Sequence, residues 1–234
     1  MIELVPLPGL PEIGPGVVLA PLLVEAAAAA GRPLRSGDCL VVTQKVVSKA
    51  EGRLVPLDPA DLDARRRLVE AESVRILRRR GDLIISETSH GFVCANAGVD
   101  LSNVDDGWAA LLPVDGDRSA RRIRDGIRAA AGVDVAVVIS DTFGRPWRHG
   151  LVDVAIGVAG LAAVVDLRGT EDSRGRALQV TEVAVADEVA SAAELVMGKA
   201  RGIPAALVRG LDAAWLREAS VRELIRPTAE DLFR

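Results

Sequence analysis

The chain is poor in cysteine, in aromatic residues and in long apolar runs, and each shortage removes a class of protein. Cys39 and Cys94 are the only cysteines, too few for a disulfide framework or a four-thiolate zinc site, and a reduced, cytoplasmic setting is expected. Aromatics make up 3% of the residues and the net charge is −4, which argues against a general nucleic-acid binder. Basic residues do cluster at Arg65–Arg67, Arg78–Arg80 and Arg121–Arg122, but Asp and Glu are interleaved, and these read as solvated helix faces. The longest uncharged apolar-rich run, Val154 to Val165, is 12 residues, short of the roughly 18 to 20 that a membrane helix needs. No membrane span is expected. The opening Met1-Ile2-Glu3-Leu4 lacks the basic segment and apolar stretch of a secretory leader. No G-x-x-x-x-G-K-[ST] occurs, because Ala193 stands where the loop before Gly198-Lys199 would need glycine. No G-x-G-x-x-G follows a strand either, so a dinucleotide-binding fold has no support.

What is present is the composition of a packed globular protein, with 49% apolar and 26% charged residues over 234 positions. Such a length suits one domain, 1–234, or two closely packed subdomains. Helical spacing predicts a helix over Ala20–Ala30 closed by Gly31, another over Arg65–Arg80 closed by Gly81, and a third over Ser119–Ala131 closed by Gly132. Glu182–Lys199 and Ala213–Ile225 complete the predicted helices. Continuous apolar runs predict buried strands at Cys39–Thr43, Leu83–Ile85, Val133–Ile139 and Ala205–Val208. The fold class is therefore mixed α/β, of the α+β type.

Three polar islands interrupt this pattern, each at the end of a predicted strand, where backbone amides and side chains are free to meet a ligand. The first runs from Thr43 to Arg53 and sets Lys45 and Lys49 four residues apart, on one helical face. They are two of only three lysines in a chain with 26 arginines. Either they are phosphate contacts or they decorate a helix. The second island, Cys94 to Val104, places Asp100 and Asn103 three apart, hard oxygen donors suited to magnesium or manganese but also ordinary turn residues. The third, Val137 to Gly150, ends a buried strand in Ser140-Asp141-Thr142 and follows with Arg145 and Arg148. A carboxylate beside a hydroxyl suits metal binding, and the two guanidinium groups suit carboxylate or phosphate. His149 and His90 read as structural histidines.

Together the islands resemble the coenzyme F-420-0:L-glutamate ligase family, including the N-terminal domain of its bifunctional actinobacterial members. Further motifs carry the resemblance nearly end to end: Gly9-Leu10-Pro11-Glu12-Ile13, Glu51-Gly52-Arg53, Leu112-Pro113-Val114-Asp115, Thr181 through Glu188, Arg226-Pro227 and Asp231-Leu232-Phe233. The resemblance implies a stand-alone ligase, with no flavin-type C-terminal domain, folded as an intertwined homodimer. It implies nucleotide contacts at Leu10, Pro11, Glu12, Ile13, Gln44, Lys49 and Asn103, with Asp100, Asp141 and Thr142 holding divalent metal. Gln44 departs from the small hydroxyl residue of many relatives. Met197 to Ile203 looks like the later nucleotide loop, bringing Gly198 and Lys199 to the nucleotide, yet it offers no acidic or amide metal ligand. The implied activity joins L-glutamate to coenzyme F-420-0 through a gamma-type amide, using GTP, two magnesium or manganese ions and an assisting potassium ion. An acyl phosphate would be the intermediate, GDP and phosphate the by-products, and Asp141, Arg145 and Arg148 the catalytic set. A metal-dependent kinase or phosphatase, or a nucleotide-binding module without catalysis, are the competing readings.

Overall fold

The structure is a computed structural model that describes residues 1–232; Phe233, which closes the last motif, and Arg234 lie outside the described residues. In chain order the strands and helices are β1 (Glu3–Pro6), α1 (Leu19–Ala29), β2 (Cys39–Thr43), α2 (Gln44–Ala50), β3 (Leu54–Pro56) and α3 (Leu62–Ala71). Then follow β4 (Ser73–Arg80), β5 (Leu83–Thr88), β6 (Val93–Ala95), β7 (Trp108–Ala110), α4 (Gly116–Ala131) and β8 (Ala136–Arg145). The chain continues with β9 (Arg148–Ala159), β10 (Val165–Asp166), β11 (Glu182–Val183), α5 (Val185–Met197) and β12 (Ala205–Arg209). The class is mixed α/β, as the sequence predicts.

The central sheet has the order β1-β12-β2-β8-β9, with β2 and β8 parallel and the other neighbours antiparallel. Its strands alternate between two cores, which is why their sequences are continuously apolar. Leu40 and Val42 of β2 and Val137 and Ile139 of β8 face Leu23 of α1 and Ile123 and Ile127 of α4. Val41 and Val138 face the other way, onto Ala186, Val189 and Ala190 of α5. A third, smaller core gathers Leu57, Val69, Ile84, Val99 and Leu111 beneath α3 and the β4-β5-β6 sheet.

Two buried aspartates lock the layers. Asp117, in the first turn of α4, accepts from the Val158 amide at 2.9 Å, the Ser220 hydroxyl at 2.6 Å and the Val221 amide at 3.1 Å. Asp38 receives a two-pronged contact from Arg209, both N···O distances being 2.8 Å, and so ties the start of β2 to the end of β12. Where α4 meets β9 there is no room for side chains: a Cβ on Gly157 would lie 2.3 Å from the Gly116 carbonyl carbon.

Three sequence expectations change. Helix α3 stops at Ala71, and Ser73–Arg80 is a strand. The Ser73 hydroxyl donates to the Val69 carbonyl and also contacts the Ser86 hydroxyl of β5, so the chain leaves the helix where a strand partner is waiting. The segment 213–225 is not one helix but two short 3-10 turns, Ala213–Trp215 and Val221–Leu224. Its polar groups are spent elsewhere: the Trp215 carbonyl accepts from Ala162, and Arg217 donates to the Val164 carbonyl. Finally, Glu182 and Val183 pair with β10, so α5 begins only at Val185 and ends at Met197.

Candidate active site

Strand β2 ends at Thr43, paired with Ser140, and turns at once into α2, whereas its parallel neighbour β8 runs on to Arg145. Asp141 and Thr142 therefore stand inside β8, where it has lost its β2 neighbour and keeps only β9. A cleft opens there, at the carboxyl ends of the two parallel strands, the usual place for ligands in sheets with such a step. It is a cavity of about 460 Å³.

Into this cavity converge the loop Leu10-Pro11-Glu12-Ile13, Gln44 and Lys49 of α2, Asp100 and Asn103, Asp141 and Thr142, and Gly198 and Lys199. The sequence had placed every one of them at a nucleotide or metal. Arg145 and Arg148 are not among the lining residues: they sit at the tip of the β8–β9 hairpin, where Arg145 donates to the His149 carbonyl. His149 is exposed, and His90 is stacked on Phe92 with its Nε2 2.9 Å from the Pro113 carbonyl, a structural contact.

All three lysines of the chain line the cavity, whereas no arginine among the described residues does. Each holds a carboxylate from a different element. Lys45 lies 2.8 Å from Asp100 Oδ2 and donates to the Ser102 hydroxyl; Lys49 pairs with Glu12; Lys199 lies 2.9 Å from Asp153 Oδ1. Gln44 is buried, its Nε2 donating to Ser48 and to the Leu111 carbonyl, while its Oε1 has no partner and remains an open acceptor.

Asp153 is the residue that sequence reasoning missed. It is 2% exposed and sits across from Thr142 on β9. Its Oδ1 accepts from the Thr142 hydroxyl at 2.6 Å and its Oδ2 from the Ser140 hydroxyl at 3.0 Å. The signal was a lone acid within an otherwise apolar stretch, Leu151 to Val158: a buried carboxylate in a strand needs donors, and its donors mark a site.

The charge balance is acidic, because five carboxylates, Glu12, Asp100, Asp141, Asp153 and Glu194, face the three lysines. Burial raises the Asp141 carboxyl to about 7; Asp100 and Asp153 push it the same way, against the Thr142 amide and Lys45. Among the described residues Asp141 forms no salt bridge. Burial would also raise Asp100, but hydrogen bonds from Lys45 and Ser102 outweigh it and hold that carboxyl below its ordinary value. No cluster of three His, Cys, Asp or Glu side chains set for a metal occurs among the described residues. The donor chemistry is nonetheless that of a hard cation: two carboxylates and a hydroxyl in one cleft, with one acid lacking a counter-charge.

Comparison with known proteins identifies the family. The family described as F420-0:Gamma-glutamyl ligase matches residues 9–210. The coenzyme F420:L-glutamate ligase of Methanothermobacter thermautotrophicus is 47% identical over 249 residues, covering 100% of this chain and 99% of that protein. That of Methanopyrus kandleri is 44% identical over 98% of this chain and 96% of its own length, and that of Methanocaldococcus jannaschii 42% identical over 86% of each. Matches of this extent define the class as a ligase. The chain belongs to the F420-0:gamma-glutamyl ligase family.

Proposed function

We propose that the protein joins the amine of L-glutamate to the lactyl carboxylate of coenzyme F-420-0 as an amide, using GTP. The observation that carries this reading is the convergence of every lysine in the chain on one acidic cleft bordered by the 10–13 and 198–204 loops. Compact ammonium groups that pivot on flexible stems suit a triphosphate that must be gripped and then released. Lys45 and Lys49 each have an acidic partner to exchange for phosphate oxygen, and Glu12, with 82% of its side chain exposed, is free to swing away from Lys49.

A carboxylate is a poor acyl donor, so its oxygen must first become a leaving group. In this scheme a lactyl carboxylate oxygen attacks the γ-phosphorus, the bond to the β-phosphate oxygen breaks, and GDP departs. The glutamate nitrogen then attacks the acyl carbon, phosphate leaves, and the amine gives up its proton. Lys45 and Lys49 hold the phosphates in line and offset the charge developing on the transferred oxygens. Thr142 is fixed by Asp153, so its hydroxyl faces the cleft in one orientation. Asp100, Asp141 and the Thr142 hydroxyl are the groups that would hold magnesium or manganese. Bound there, the ion supplies Lewis-acid stabilisation of the phosphates. Arg145 and Arg148 are assigned to anionic groups of the acceptor beyond the cavity.

The test is a mass-resolved ligation assay with GTP, magnesium, F-420-0 and glutamate, and a control lacking glutamate. The expected outcome is a glutamate-dependent mass gain on F-420-0 with release of GDP. Phosphorylated acceptor accumulating with no glutamyl product would favour a kinase, and GTP turnover at background would favour a binding module.

A further inference from the structure

The three lysines are not equivalent. Lys45 pairs with Asp100, a carboxylate one-third exposed, in the same cleft as Asp141, which forms no salt bridge among the described residues. Lys199 pairs instead with Asp153, whose side chain is 2% exposed and already has the Ser140 and Thr142 hydroxyls on it. Oδ1 of Asp153 thus has both lone-pair directions taken, one by Thr142 and one by the ammonium. A cation approaching this carboxylate would have to expel Lys199 from a buried oxygen, whereas one approaching Asp100 and Asp141 meets an acid with no salt bridge. The loop that carries Lys199 offers no competing oxygen ligand from a side chain between Gly198 and Pro204.

The cleft's formal charge leads to the same result. Before nucleotide enters, five carboxylates against three lysines give the lining a formal charge of −2, with every carboxyl counted as ionised, which one divalent ion neutralises. Without Lys199 it would carry −3, and a single ion would leave Asp153 buried without a counter-charge.

We propose that the Lys199 ammonium is a built-in second cation, standing beside Asp153 where a second metal ion would otherwise sit, so that the protein takes up one divalent ion at Asp100 and Asp141. The inference rests on the metal- and GTP-dependent reading above. Lys199 is in this sense a positioning residue: it compensates Asp153, which orients the Thr142 hydroxyl.

The test counts ions. Mn²⁺ is titrated into the full chain, alone and with a saturating non-hydrolysable GTP analogue, and bound ion is read from the loss of the free-ion paramagnetic resonance signal. The parent protein should bind one Mn²⁺ per chain in both conditions. Lys199→Gln, which removes the charge and offers an amide oxygen, should bind a second ion with the analogue present, and Lys199→Arg should return the count to one. A merely structural role for Lys199 would alter the melting temperature without altering the count. Two ions in the parent protein, or one in both the parent and Lys199→Gln, would overturn the inference while leaving the ligase reading standing. No ion bound in any of the proteins would instead remove the metal from that reading, and this inference with it. If Lys199→Gln fails to fold, the count in the parent protein still decides, since a second ion there refutes the proposal.

Discussion

Thr142 and Asp153 face each other across the β8–β9 ladder, and the threonine hydroxyl donates to Asp153 Oδ1 at 2.6 Å. The pair makes the cleft's inner wall, and through Ser140 and Lys199 it joins both strands to the loop after α5. Replacing Asp153 with alanine strands three donors at once. We expect Asp153→Ala to cost about 2–4 kcal/mol of unfolding free energy and to slow ligation by at least ~10-fold. Asp153→Asn should recover much of the stability and little of the turnover. Denaturant unfolding and the ligation assay check both, and wild-type values for Asp153→Ala in the two measurements would show the pair to be idle.

Asp141 gives the metal-free protein a pH signature. Its folded-state value of about 7 lies above the ordinary carboxyl value of 3.8, so the native state binds the proton more tightly than the unfolded chain does. The contribution of this group is therefore fully favourable at low pH and is lost as pH rises from about 4 to about 7. Melting curves recorded in chelator should show that decline. Asp141→Asn should flatten it and abolish ligation, and an unchanged slope in the variant would remove Asp141 as its source.

Both thiols should be silent. Burial raises Cys39 to about 12, helped by Asp38, and burial raises Cys94 to about 12, helped by Asp141 against a hydrogen bond from Gly98. Thiolate is the reactive form, so alkylation by iodoacetamide at mildly alkaline pH should be negligible in the folded protein and rapid in denaturant. Intact mass spectrometry reads the difference directly.

Much of this arrangement was legible in the sequence, and the parts that were not share a cause. Strand β2 matches the run Cys39–Thr43 residue for residue, because a strand buried on both faces has no competing pattern. The Leu68–Leu77 region carried apolar residues compatible with either period, and only the presence of β5 as a partner decided for a strand beyond Ser73. Gln44, Lys49, Asp100, Asn103, Asp141 and Thr142 were recognisable within polar islands, whereas Leu10–Ile13, Gly198 and Lys199 were marked only by the family resemblance. That Asp100 and Asp141 meet depends on contacts between distant stretches, which spacing along the chain does not encode. Asp153 escaped notice because it lies among apolar neighbours, where its purpose appears only once Ser140, Thr142 and Lys199 are seen around it.

Asp117 should be the costliest single contact outside the cleft. It holds β9 and the 3-10 turn at Val221 from the first turn of α4, using both carboxylate oxygens. Asp117→Ala leaves buried amides unpaired and should destabilise the fold by about 3–5 kcal/mol. Asp117→Asn should lose less. Thermal and denaturant melts of the two variants give the ranking, and equal stability of all three proteins would contradict the anchoring role.

Arg145 and Arg148, at the hairpin tip, are expected to separate the substrates. Arg148→Ala should raise the KM for F-420-0 several-fold, about 1 kcal/mol of binding, and leave the KM for GTP near its parent value. A matching rise in the GTP value would move the residue to the nucleotide.

The confinement of lysine to one cleft gives the molecule a natural reporter. Apart from the amino terminus, the chain carries primary amines only at Lys45, Lys49 and Lys199, with 21%, 13% and 55% of their side chains exposed. An acylating reagent applied to the protein therefore interrogates the cleft almost alone, reaching Lys199 first. Protection of those amines by added nucleotide would register occupancy without any label, dye or engineered handle.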